Sequence, residues 1–193
     1  MLLPGLEVPL GSHFRMLHFN ATLLNAKATA FLAEMPEEER PDAIGLLECH
    51  LRGAALNRMR RVIKKIGWRM FSTPAILKDE QMVKAGEAPE PGPLAAPVDE
   101  TKLKKHQNTG GEAILVDPSR KASRYHQGTE AFGYRSTLIK MKGWTLHLIV
   151  TYSDSGWAFE AGPNALKWQA ICTLIQSMNA PWLIAYRLQS DAR

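Results

Sequence analysis

Strand-length apolar runs alternate with segments of helical period along this chain, and that alternation limits the possible folds more than any single motif. Phe14 to Asn20, FRMLHFN, has the aromatic and apolar content of a short strand and ends on an amide. From Thr22 to Met35 the residues Leu23, Leu24, Ala28, Phe31, Leu32 and Met35 recur at helical spacing until Pro36 and the acidic Glu37 to Glu39 stop the pattern, which predicts an amphipathic helix. Ala43 to Leu47 is too short for a helix and has the unbroken apolar character of a buried parallel strand. A second helix follows, with Ala55, Met59, Val62, Ile63 and Ile66 as its stripe, Arg58, Arg61 and Lys65 on the other side, and Gly67 as its stop.

Trp68 to Leu77 reads as extended chain, and periodicity then disappears. Lys78 to Gly110 holds Pro89, Pro91, Pro93 and Pro97 and the lysines Lys102, Lys104 and Lys105, with no apolar period to repay its ordering entropy. This predicts a disordered, mobile Pro/Lys-rich insertion over 78–110. Beyond Gly110-Gly111 the pattern is one of strands: Ala113 to Val116, then Thr137 to Met141 and Thr145 to Thr151 joined as a hairpin across Lys142-Gly143. Gly162-Pro163-Asn164 opens a third helix with Trp168, Ile171, Cys172, Ile175 and Met178 as its buried stripe, and Pro181 to Ile184 is a final strand. Helices packed on sheets, in a mixed α and β chain, are the expected class.

At 193 residues, one domain is the default, and no apolar run approaches the ~18 residues that span a bilayer. Met1 to Leu10 has no basic flank and carries Pro4 and Pro9, so no secretory signal is expected and an intracellular protein is, with cytoplasm and nucleus both open. Cys49 and Cys172 cannot frame a disulfide-rich fold or a four-ligand zinc site, and each is expected to be a reduced, buried thiol. The net charge of +5, with no acid between Cys49 and Lys78, favours phosphate-rich partners.

Asn20, Glu48 and Tyr152 share one property: each follows the last apolar residues of an expected strand. If those strands are parallel neighbours, the three converge at one mouth of the sheet, where α/β proteins place ligands. A carboxylate and an amide there can hold a hard divalent cation, and a phenol can hydrogen-bond a phosphate oxygen. Each residue also has a plainer role open to it: Asn20 as a helix N-cap, Glu48 as a solvated strand end, Tyr152 as a half-buried aromatic.

Taken in order, the segments resemble the endonuclease/exonuclease/phosphatase superfamily, the metal-dependent phosphodiesterases that include abasic-site and retroelement endonucleases. FRMLHFN is similar to the family's opening strand with its Asn, and PDAIGLLECHL to the segment that supplies the metal-binding Glu, with Leu47 where Gln and Cys49 where Thr are usual. GGEAILV resembles the Gly-Gly strand, LHLIVTYSDSG the strand ending in the active-site Tyr, and GPNALKWQAICTLIQSMNAPWLI the helix and strand before a Gly-Asp-Phe-Asn motif. The resemblance implies an α+β chain over 14–189, interrupted by 78–110. Its fold would be a partial four-layer α/β sandwich of two packed β-sheets flanked by helices, with the last strands missing. It also implies a site with Glu48 and Asn20 at the metal and Tyr152 as a catalytic residue.

The departures fall in the same site. Arg187 stands at the family's Asp position and Gln189 at its Asn position, and the chain stops at Arg193, before the strand that would carry Ser-Asp-His. None of His13, His18, His50, His106, His126 and His147 lies in a matching context. The family's chemistry is hydrolysis of a phosphodiester by water at a divalent metal. General acid and base catalysis alone is worth roughly 10²–10⁴-fold, and a cationic Arg187 opposes a metal while orienting no water. Two expectations follow. One is a Mg²⁺- or Mn²⁺-dependent nuclease or phosphodiesterase with its metal weakly bound if at all, either weakly active or completed by further sequence; the other is a non-catalytic remnant that binds nucleic acid or another phosphodiester through a basic surface. In both, no membrane is involved, and the C-terminal strand is an exposed edge that invites self-association.

Overall fold

The computed structural model describes residues 13–21, 24–77, 108–127, 134–153 and 162–187. Two of its strands, β2 (Ala43–Leu47) and β6 (Ala113–Val116), consist wholly of apolar residues, and all of them are buried. Strands of that composition require cover on both faces, and the fold supplies it. They pair antiparallel at the centre of a four-stranded sheet whose outer strands are β1 (Met16–Asn20), parallel to β2, and β3 (Arg69–Ser72), antiparallel to β6. Helices α1 (Ala26–Glu34) and α2 (Gly53–Lys65) cover one face, where Leu32, Ile63 and Trp68 pack with Ile44, Leu46 and Leu115.

The other face, with Ala43, Leu47, Ile114 and Val116, packs on Ile139, Leu146, Leu148, Val150 and Tyr152 of a second sheet. That sheet runs in the order β10 (Trp182–Arg187), β9 (Thr145–Tyr152), β8 (Tyr134–Lys140), β7 (Lys121–Gln127), with β10 parallel to β9 and the other pairs antiparallel. Helix α3 (Gly162–Gln176) covers its outer face through Ile171 and Leu174. Helices, sheet, sheet and helix make a four-layer α+β sandwich. Gly45, in the middle of β2, sets how closely the sheets approach: a Cβ there would lie 2.9 Å from Met16 Cε and 3.1 Å from Val150 Cγ2.

Several local expectations change in the three-dimensional structure. Helix α1 starts later than Thr22, because Asn25 caps it: Asn25 Oδ1 accepts hydrogen bonds from the amides of Lys27 (3.0 Å) and Ala28 (3.1 Å). Asn20 is therefore not the N-cap. On α2 the buried positions are Leu56 and Ile63 while Ala55 is exposed, since the larger leucine gains more from burial than the alanine beside it. Cys49 is buried as expected, but Cys172 is exposed. On α3 the expected stripe packs on the core at Trp168, Ile171, Ile175 and Met178. Strand β7 has no apolar run and was not expected. Among the described residues it is an edge strand, held by backbone pairing to β8, with Ala122 packed on the core.

Residues 78–107 lie outside the described residues, and with them Lys102 to Lys105. The last part of the expected insertion is described: β5 (Asn108–Thr109) pairs antiparallel with β4 (Ile76–Leu77). Strand β10 has one neighbour among the described residues, and Trp182, Leu183 and Tyr186 on it are exposed. Among the described residues no helix is long and apolar enough to cross a membrane.

Candidate functional site

Parallel pairing of β1 with β2 sets Asn20 opposite Leu47, so both strands end together. The chain then leaves the sheet by an unusual turn, with φ of +52° at both Glu48 and His50. Non-glycine residues rarely adopt that conformation, which costs ~1–3 kcal/mol unless the surroundings hold it. They do so here: Cys49 N donates to Gly111 O (2.8 Å) and His50 N to Gly110 O (3.1 Å). Gly110 and Gly111 are themselves at φ +67° and +84°, and a Cβ on Gly111 would press on the Ala75 backbone nitrogen at 3.2 Å. In a continued strand the Glu48 side chain would point away from the face that Leu47 occupies. The left-handed turn ends that alternation, and Asn20 Nδ2 donates a hydrogen bond to Glu48 Oε2.

Beside this turn lies a carboxylate that the sequence reading did not single out. Glu112 heads β6 and is 2% exposed, and its Oε2 accepts a hydrogen bond from Thr73 Oγ1 (2.7 Å). The Glu112 amide donates to Thr73 Oγ1 (3.1 Å) and the Thr73 amide to Glu112 O (2.9 Å), so the two residues lock the end of β3 to the start of β6. The available signal was an acid placed directly before a wholly apolar strand, a position where a charge needs a partner. Burial, and secondarily the Glu112 charge, push the Cys49 thiol far above its ordinary range, so it remains a protonated, inert thiol.

Tyr152 ends β9 on the facing sheet and shares the inter-sheet cluster with Leu47. It is buried rather than half-buried. Its carbonyl accepts a hydrogen bond from Lys167 Nζ, and both Lys167 and Asn164 of α3 are almost completely buried. Neither polar residue belongs to the helix's apolar stripe, and nothing in the period pointed to them. Parallel pairing with β10 sets Arg187 beside Tyr152. The structure therefore makes a bonded pair, Asn20 and Glu48, on one sheet and a register pair, Tyr152 and Arg187, on the other; Gln189 lies outside the described residues. Burial holds His147 below the usual imidazole range and Tyr134 above the usual phenol range, so both are neutral near pH 7.

Among the described residues no three His, Cys, Asp or Glu side chains gather into a metal-holding group. What the turn offers is one carboxylate, partly exposed and oriented by an amide. Those hard oxygen donors fit Mg²⁺, which commonly keeps several waters and is held by one or two carboxylates together with a substrate phosphate.

No protein-family model and no curated protein sequence matches the chain. Solved structures do. The endonuclease domain of TRAS1, a telomere-specific non-LTR retrotransposon, is 15% identical with a TM-score of 0.54, over 93% of this chain and 62% of that one. An AP endonuclease from Archaeoglobus fulgidus is 13% identical with a TM-score of 0.52, over 90% of this chain and 56% of that one. A beta toxin from Staphylococcus aureus is 14% identical with a TM-score of 0.51, over 93% of this chain and 67% of that one. The chain thus spans less than two thirds of the first two structures, and at these identities the likeness is one of fold.

Proposed function

From a chain that has the endonuclease/exonuclease/phosphatase fold, we propose a nuclease-like domain that binds nucleic-acid or other phosphodiesters at the end of the sandwich where Asn20 meets Glu48. In this reading the domain runs over 14–189, with 78–110 as an excursion that Asn108–Thr109 ties back to Ile76–Leu77. The observation that carries it is the Asn20–Glu48 hydrogen bond on a strained turn, because strain of this kind clusters at functional sites. Asn20 holds one carboxylate oxygen of Glu48, which leaves the other to face a cation. Mg²⁺ or Mn²⁺ bound there would neutralise phosphate charge. In this reading Tyr152 is the phenol of the site, reached by a phosphate only if the buried end of β9 opens, and its register partner Arg187 brings a positive charge but no carboxylate to orient water. Binding without efficient hydrolysis is the outcome these residues support.

Mn²⁺ titration followed by electron paramagnetic resonance tests the site directly. Glu48→Gln should abolish specific Mn²⁺ binding, and Asn20→Ala should weaken it about 10–100-fold, as loss of an orienting partner does. Unchanged Mn²⁺ affinity in Glu48→Gln would remove the proposed site.

Self-association belongs to the same reading. Strand β10 has one neighbour among the described residues and bears the exposed Trp182, Leu183 and Tyr186, which favours pairing with another copy, so sedimentation should show concentration-dependent dimers that Leu183→Lys disperses. A monodisperse monomer at high concentration would contradict it.

A further inference from the structure

Helix α2 carries Arg58, Arg60, Arg61, Lys64 and Lys65, and no acid occurs between Cys49 and Lys78 to offset them. Arg60 is turned to the protein: its Nε donates to Ser72 Oγ (3.1 Å) and its Nη2 to Ser72 O (3.2 Å), which ties the helix to the end of β3. Arg58, Arg61, Lys64 and Lys65 are exposed, and among the described residues none of them is ion-paired. Arg58, Arg61 and Lys65 follow one another at helical spacing and form a stripe about 10 Å long at 1.5 Å rise per residue. Like charges at such spacings destabilise the helix that carries them, and a polyanion relieves that repulsion.

We infer that this stripe is a docking surface for the phosphate backbone of a nucleic acid, separate from the Asn20–Glu48 site and independent of metal. The choice of nucleic acid rests on the nuclease-like reading; the anionic character of the partner rests on α2 alone. A membrane surface fits less well. Helices that lie on bilayers insert large apolar side chains, whereas Leu56 and Ile63 are buried and Met59 packs on the core. The exposed non-basic positions of α2 hold only Gly53, Ala54, Ala55 and Asn57. Helix α2 begins three residues after His50, so the stripe and the turn are close along the chain. Backbone contacts of this type carry no base sequence information but impose a steep dependence on salt.

The test is fluorescence anisotropy of a labelled DNA duplex over a salt series, with and without chelator. The triple variant Arg58→Gln, Arg61→Gln, Lys65→Gln should weaken binding about tenfold or more at low salt. It should also reduce the slope of log affinity against log salt by about 2–3, since each lost duplex phosphate contact removes about 0.9. A second triple, Lys121→Gln, Lys140→Gln, Lys142→Gln, removes the same charge from exposed positions on β7, β8 and the turn after β8 and should leave the slope close to wild type. The α2 triple should keep the wild-type thermal midpoint or exceed it, because repulsion is removed. Equal slopes in the two triples, or an α2 triple indistinguishable from wild type, would overturn the inference. So would wild-type protein that binds phosphatidylserine vesicles through α2 and leaves the duplex free. Chelator and Glu48→Gln report separately on the turn: binding that neither of them changes, with the α2 effect intact, would count against the metal site and not against this surface.

Discussion

Nicking of supercoiled plasmid or of an abasic-site duplex by these 193 residues, with Mg²⁺ or Mn²⁺ present, is expected to be undetectable or orders of magnitude below that of an intact enzyme of this fold. The reason is what surrounds the one oriented carboxylate. In the proposed reading Glu48 and Asn20 help hold a cation, but Arg187, in register with Tyr152, stands where the family resemblance implies an Asp, and no His lies in a context that the resemblance implies. Loss of general acid and base groups costs roughly 10²–10⁴-fold, before any loss in positioning of the nucleophile. Arg187→Asp alone should not restore turnover, because groups that act as a unit are far from additive. Chelator-sensitive cleavage that disappears in Glu48→Gln would show that another residue has taken over the proton chemistry.

Trp68→Ala should reduce the free energy of unfolding by about 3–5 kcal/mol, the usual cost of deleting a large buried aromatic. Trp68 is 1% exposed among Leu32, Ile44 and Ile63. Its indole Nε1 donates to Leu32 O at 3.4 Å, and the Arg40 guanidinium lies 5.7 Å from the ring centre. The residue therefore joins the end of α2, the helix α1 and the first sheet. Chemical denaturation followed by circular dichroism measures the change, and Trp68→Phe should retain much of the stability. A loss below ~1 kcal/mol in Trp68→Ala would mean that the helical layer closes over the gap more fully than buried aromatic sites usually allow.

Legibility of the fold varied with how much apolar pattern each element carries. Ala43–Leu47 and Ala113–Val116 were readable to the residue, because a short run with no polar member has one stable environment, the centre of a covered sheet. Lys121–Gln127 was invisible, since an edge strand is stabilised by backbone pairing that leaves little trace in side-chain chemistry. The buried face of α3 was misjudged at Cys172 for the opposite reason: its apolar residues are too many to choose between. In the candidate site, Asn20 and Glu48 are singled out by their places at strand ends, and the structure joins the two by a hydrogen bond. Glu112, Asn164 and Lys167 were missed because their partners are distant in the chain.

Legible in the chain were the alternation of strands and helices, the apolar centre of the first sheet, the excess of positive charge around α2, and the residues at which β1 and β2 end. Each of these follows from local composition and period. Three-dimensional packing was needed to make Asn20 a donor to Glu48, to bury Tyr152 between the sheets and to set Arg187 in register with it. The left-handed backbone at Glu48 and His50 is unfavourable as a local preference. It persists because Gly110 and Gly111, far along the chain, bring two carbonyl groups to the amides of Cys49 and His50.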